Sequence, residues 1–88
     1  MKTPVFTNQF KKDYKLAQKR GKDLNLLKLI MSELVNENAL SATYKDHNLT
    51  GNYKNCRECH VMPDWLLIYE IIEDEIRFLR TGTHSDLF

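Results

Sequence analysis

Proline and glycine are scarce in this 88-residue chain, at two and three residues. That scarcity argues against disordered and fibrous classes. No apolar run approaches the roughly 18 residues that a helical membrane span needs. Met1 to Phe10 contains neither an apolar segment nor a small-residue cleavage site of the secretory kind. The expectation is a cytoplasmic protein with no membrane partner, folded as one domain over residues 1–88. A domain of this size buries about two thirds of its unfolded surface, so the core is adequate but not large. Only two cysteines are present, and a disulfide between them is disfavoured in a reducing compartment.

The net charge is +1, but it is unevenly distributed. Residues 1–30 hold eight Lys/Arg against Asp13 and Asp23, a balance of +6. Residues 31–88 hold five basic and ten acidic side chains, a balance of −5. Such asymmetry suggests a positive face able to meet a polyanion, although a lysine-rich helix is also an ordinary solvated surface.

Apolar residues place the elements. Val5 and Phe6 mark a short strand, and Pro4 puts it at a sheet edge or a strand start. Thr7 or Asn8 can cap a helix, which carries Phe10, Tyr14 and Ala17 at i, i+4, i+7 and ends at Gly21. Asp23 can cap a second helix bearing the broad stripe Leu24, Leu27, Met31 and Leu34. Residues 36–52 read as a polar loop. Tyr53 to Val61 reads as one or two strands, and Trp65 to Tyr69 as a central strand covered on both faces. Glu73-Asp74 is a turn before a further strand from Glu75 to Arg80, and Thr81 to Phe88 is a tail. The predicted class is α+β: an N-terminal strand and a two-helix hairpin packed on an antiparallel sheet of four to five strands.

Cys56-Arg57-Glu58-Cys59-His60 matches the C-x-x-C-H pattern of covalent haem attachment. The match fails on context. Haem is attached this way outside the cytoplasm, and residues three apart on a strand point to opposite faces. The same geometry counts against a zinc site built on both thiolates. Two reduced cysteines, partly buried, is the favoured reading, with no cofactor and no metal.

Histidine is as scarce as glycine: only His47, His60 and His84 are present. Each falls where a strand meets a loop. Strand ends converge in a sheet of short strands, which allows one cluster of His60, Asp64, Arg80 and His84. Metal-free RNA cleavage needs a base for the 2′-hydroxyl, a cation for the phosphate and an acid for the leaving oxygen. Histidine suits the proton transfers and arginine the phosphate. A single histidine at such a position is more often a surface or capping residue.

Several stretches, in order and spacing, resemble the YafQ branch of the RelE/ParE toxins of type II toxin–antitoxin systems. They are Leu16-Ala17-Gln18-Lys19-Arg20 within Asp13 to Lys22, Tyr44-Lys45-Asp46-His47, Leu49-Thr50-Gly51, Arg57 to His60, Pro63-Asp64-Trp65, Ile68-Tyr69, Arg80-Thr81-Gly82-Thr83-His84 and Leu87-Phe88. The resemblance implies a RelE-like fold and a ribosome-dependent, metal-independent messenger-RNA endoribonuclease acting through the 2′-hydroxyl. It implies His47, His60, Asp64, Arg80 and His84 as the catalytic set, with Arg80 on the scissile phosphate and Trp65 and Phe88 lining the site. His84 would be the general acid and Asp64 or His60 the base, with His47 supporting charge. Lys11, Lys12, Lys15, Lys19, Arg20 and Lys22 would grip ribosomal RNA. A cognate antitoxin is the implied partner, with operator DNA bound only through their complex. Relatives of this fold that inhibit gyrase without cutting RNA supply the alternative, but they lack the histidine and aspartate set.

Overall fold

The computed structural model describes residues 1–88. Strand β1 (Thr3–Phe6) leads through Thr7 into helix α1 (Asn8–Lys19). Thr7 is the cap, its hydroxyl accepting from the Phe10 amide at 3.0 Å. Gly21 follows α1 with φ +73°, a left-handed conformation that ends the helix at little cost in glycine. Asp23 caps helix α2 (Leu24–Val35) by accepting from the Asn25 and Leu26 amides. The apolar stripes behave as the spacing predicts. Phe10, Ala17, Leu27, Ile30 and Leu34 are buried together, and burying a large apolar side chain is worth about 1.5–3 kcal/mol.

The remaining strands are β2 (His47–Asn48), β3 (Arg57–Met62), β4 (Trp65–Ile72) and β5 (Glu75–Gly82). They form a five-stranded sheet in the order β1-β5-β4-β3-β2. Pro4 lies on an edge strand, as expected of a residue with no amide donor. Residues 65–69 of β4 are all buried. Trp65, Leu67 and Tyr69 face the helices, while Leu66 and Ile68 pack with Cys56 and Leu87 on the opposite face. No helix is long and apolar enough to cross a membrane.

Three expectations need correction. The sheet is mixed, because β1 pairs in parallel with β5; only β2 to β5 are antiparallel. The helix hairpin carries the chain away from β1, leaving that strand beside the last one and aligned with it. The polar stretch 36–52 contains the two-residue strand β2 and a 3-10 turn at Ala42–Tyr44; two residues leave no periodic signal. The tail is ordered too: β5 runs on to Gly82, and helix α3 spans His84–Leu87. Thr83 and Asp86 close a reciprocal capping box there, a signal present in the sequence as Thr-x-x-Asp.

Candidate active site

Alternation along β3 decides which of its side chains meet. Cys59 and Val61 join the core beneath the helices. Cys56 belongs to the opposite cluster, and Glu58 and His60 share its face by the two-residue period. Strand β2 then sets His47 directly opposite Glu58. His47 Nε2 lies 2.9 Å from Glu58 Oε2. Its Nδ1 lies 2.6 Å from the Lys45 carbonyl oxygen; that oxygen only accepts, so Nδ1 carries a proton. His60 Nε2 is 3.9 Å from the same Glu58 oxygen, too far for a direct hydrogen bond. Glu58 is buried, and its Oε1 has no partner. A buried carboxylate oxygen without a donor is costly, and it is available to a proton or a ligand.

The third histidine comes from α3. The Asp64 carboxylate, in the turn between β3 and β4, accepts from the His84 backbone amide at 2.9 Å and lies 2.6 Å from His84 Nδ1. The His84 amide, followed by its ring and then Lys22, holds the Asp64 carboxyl below the usual carboxylate range. With Nδ1–H committed to an ionised Asp64, His84 presents Nε2 outward. The rings form a row, with His47 and His60 centroids 6.0 Å apart and His60 and His84 5.8 Å apart.

Helix α3 is held from two sides. Arg20, at the end of α1, pairs with Asp86 at 2.6 Å. That bond and the Thr83 amide hold the Asp86 carboxyl far below its usual range. Gly82 allows the close approach, since a Cβ there would stand 2.9 Å from Asp86 Oδ2.

The cluster expected from strand ends is therefore partly formed. His60, Asp64 and His84 come together, and His47 joins them. Arg80 stands apart. It pairs with Ile68, which pairs with Glu58, which pairs with His47. These four residues thus form one row, and Arg80 lies two strands, about 10 Å, from Glu58. Its guanidinium turns to Asp13 on α1, with Nε 2.8 Å from Oδ2, and this pairing secures the charge on Arg80.

Trp65 is placed differently from its expected role at the RNA surface. It is 1% exposed, and its indole N–H donates to Thr81 Oγ1 at 2.9 Å. It lies in the core beneath the helices, where no base can stack on it. Phe88 is 65% exposed, with its ring edge-on to Tyr53 at 5.5 Å, and it offers a free aromatic face. Lys11, Lys12, Lys15 and Lys19 are exposed along α1, whereas Arg20 is engaged by Asp86 and Lys22 is close enough to act on Asp64.

Glu58 was missed by sequence reasoning. The signal was present, because Glu58 and His60 are two apart on a predicted strand and must share a face; the C-x-x-C-H pattern drew attention to the wrong atoms. Cys56 and Cys59 are free, buried and on opposite faces. Burial pushes the Cys59 thiol up to about 12, which suppresses thiolate chemistry. The residues able to hold a metal ion are His47, Glu58 and His60, whose ligand atoms lie within 4.8 Å of one another.

A two-helix hairpin on a five-stranded sheet, with three histidines and two carboxylates gathered on the opposite face, defines a RelE-like toxin of the type II kind. The family model for YafQ, a bacterial toxin of type II toxin–antitoxin systems, matches residues 2–88, and the chain belongs to that family. The mRNA interferase toxin YafQ of Escherichia coli K12 is 52% identical over 84 residues, 94% of this chain and 91% of the relative. The E. coli DinJ–YafQ complex contains a chain 49% identical with a TM-score of 0.93, covering 100% of this chain and 99% of that one. A metal-bound toxin from Helicobacter pylori is 43% identical with a TM-score of 0.93, both chains covered in full.

Proposed function

We propose that this toxin is a messenger-RNA endoribonuclease that cuts on the ribosome by 2′-hydroxyl attack, needs no metal for the cut, and is silenced by a cognate antitoxin in the cytoplasm. The observation that carries the reading is the pairing of a buried, half-unsatisfied Glu58 with the histidine row, next to a His84 ring oriented by Asp64. An acid and a base in different environments are what proton transfer at both ends of a phosphodiester requires.

In this mechanism the 2′-hydroxyl proton passes to Glu58, directly or through His60. The freed oxygen attacks phosphorus, and the bond to the 5′-oxygen breaks. His84 acts in its imidazolium form, with Nδ1–H held by Asp64, and its Nε2–H protonates that leaving oxygen, giving a 2′,3′-cyclic phosphate. His47, bonded to the Lys45 carbonyl and Glu58, supports charge near the phosphate. Arg80 holds the phosphate, acting with the charge that Asp13 secures. Asp64 orients His84 and stays ionised, so the base role falls to Glu58 and His60. Phe88 stacks on an unpaired base, as single-stranded RNA is generally held. The exposed lysines of α1 grip ribosomal RNA through its phosphates. The antitoxin of the E. coli relative makes a DinJ-like protein the expected partner, with operator DNA reached only through the joint complex.

His47, Glu58 and His60 would also hold a transition-metal ion, and the Helicobacter pylori toxin is itself metal-bound. Such an ion would take the base away from RNA and inhibit the cut.

The test is cleavage of messenger RNA in a translating extract, mapped by primer extension. Wild-type toxin should give ribosome-dependent cuts, and His84→Ala should abolish them. A folded, antitoxin-free wild type that leaves messenger RNA intact would overturn the nuclease and favour a non-cutting toxin on this fold.

A further inference from the structure

Helix α1 is basic, yet one of its charged residues faces inward. Asp13 is 7% exposed, while Lys11, Lys12, Lys15 and Lys19 around it are exposed. A buried carboxylate persists only when its lone pairs are used, and those of Asp13 are. Oδ2 accepts from Arg80 Nε at 2.8 Å and from the Thr81 amide at 3.2 Å. Oδ1 accepts from Arg80 Nη2 at 3.3 Å and from Gln9 Nε2 at 3.1 Å.

The strand explains why the carboxylate is there. β1 pairs with β5 only from Glu75 to Phe78. Beyond that point the outer edge of β5 has no neighbouring strand, and α1 covers it instead. The Thr7 amide donates to the Phe78 carbonyl at 3.3 Å, and the Thr7 hydroxyl donates to the Leu79 carbonyl at 3.0 Å. Asp13 then takes the Thr81 amide. The β4–β5 register shifts at this place, where Ile68 meets Arg80 but Tyr69 meets Phe78, leaving Leu79 as the extra residue. Such bulges re-aim side chains and accompany active sites.

We propose that Asp13 is a positioning residue for RNA cleavage, fixing the Arg80 guanidinium so that its remaining donors meet the scissile phosphate. The inference rests on the reading of Arg80 as the phosphate-holding group. A guanidinium has five N–H donors in a rigid fork. Asp13 takes one from Nε and one from Nη2. Two on Nη1 and the second on Nη2 remain, beside the Tyr53 hydroxyl that also bears on the guanidinium, and one from each Nη forms the end-on fork that matches two phosphate oxygens. An arginine without such a brace samples many rotamers, and a donor reorganised during the reaction stabilises the transition state less than one already in place. Because Asp13 sits on the basic helix, the surface that grips ribosomal RNA and the arginine that meets the messenger are held in one frame.

The experiment is a double-mutant cycle on messenger-RNA cleavage in a translating extract, with Asp13→Asn, Arg80→Ala and both together. Asp13→Asn should lower kcat about 10- to 100-fold with the half-saturating toxin concentration changed less than about threefold, since misplacing a catalytic group by about 1 Å costs this much. In the Arg80→Ala background Asp13→Asn should cost almost nothing further, because residues acting through one another are not additive. A purely structural role would instead cost activity equally in both backgrounds. Asp13→Glu, which keeps the charge and lengthens the arm by one methylene, is the second variant should Asp13→Asn not fold, and its kcat should fall between the two. The Arg80 Nε–H signal by 15N NMR should be protected from exchange in the wild type and in cleavage-dead His84→Ala, whatever the protein cuts. Additive losses, wild-type kcat in a folded Asp13 variant, or a freely exchanging Arg80 Nε–H would overturn the role of Asp13. A wild type that does not cut while its Arg80 Nε–H is protected would overturn Arg80 as a phosphate-holding group and the inference with it.

Discussion

Replacing Asp64 by Asn isolates what the carboxylate does for His84, because the side chain keeps its size and loses only its charge and one acceptor. In the wild type, Asp64 Oδ1 receives both the His84 amide at 2.9 Å and the His84 ring nitrogen at 2.6 Å. An asparagine offers one carbonyl oxygen for these donors, and its amide can face Nδ1 only if that nitrogen gives up its proton. The proton then moves to Nε2 of a neutral ring, and the orientation of the ring is no longer unique. General acid catalysis contributes about 10²- to 10⁴-fold. Both partners are more than half exposed, so solvent weakens the charge and part of the orientation survives. The expected loss is about 10- to 100-fold in the single-turnover rate of cleavage, with ribosome binding unchanged. His84→Ala should lose more. The pH dependence follows from the direction of the shift. Because the folded carboxyl titrates below its unfolded value, its contribution is fully present above the unfolded pKa of about 3.9 and is lost only as pH falls through the lower folded value. Wild-type cleavage should therefore show no inflection from Asp64 between pH 5 and 8. An Asp64→Asn protein that cuts at the wild-type rate would refute the orienting role, and an Asp64 titration within that pH range would refute the ion-pair geometry behind it.

Other outcomes are expected with equal definiteness. Converting Lys11, Lys12, Lys15 and Lys19 to Gln together should weaken ribosome binding and flatten its salt dependence, read from sedimentation at several salt concentrations, whereas an unchanged slope would place the RNA-facing surface elsewhere. Trp65→Phe should lower stability by about 1–3 kcal/mol in urea titration, through lost volume and the lost bond to Thr81. Its cleavage rate should stay within threefold of wild type at temperatures where it is folded, and a selective loss of RNA binding would return Trp65 to the site. Cleavage should survive chelation by EDTA, while added Cu²⁺ or Zn²⁺ should inhibit it in the wild type, with metal binding measured by calorimetry and abolished in His47→Ala. Loss of cleavage in EDTA would mean that the cut itself uses a metal.

Much of the fold was already legible in the chain. Caps at Thr7 and Asp23, the stop at Gly21, the broad stripe of α2 and the apolar run from Trp65 are local signals, and local forces suffice to form what they announce. The resemblance carried by the ordered motifs pointed to the toxin family for a similar reason, since those motifs recur at fixed spacing whatever the packing around them. Three kinds of information were absent from any short window of sequence. The parallel partnership of β1 and β5 joins residues some seventy positions apart and depends on where the helix hairpin delivers the chain. The two-residue strand that brings His47 to Glu58 is too short for periodicity to reveal and exists only because β3 offers an edge. The fate of each charged or aromatic side chain was decided last. Trp65 went to the core, Arg20 to Asp86, and Asp13 turned inward from a lysine-rich helix to meet Arg80. Composition determines which chemistry is available to this protein, and pairing across the sheet decides which groups share it, because burial and partner geometry are properties of the assembled fold rather than of any residue alone.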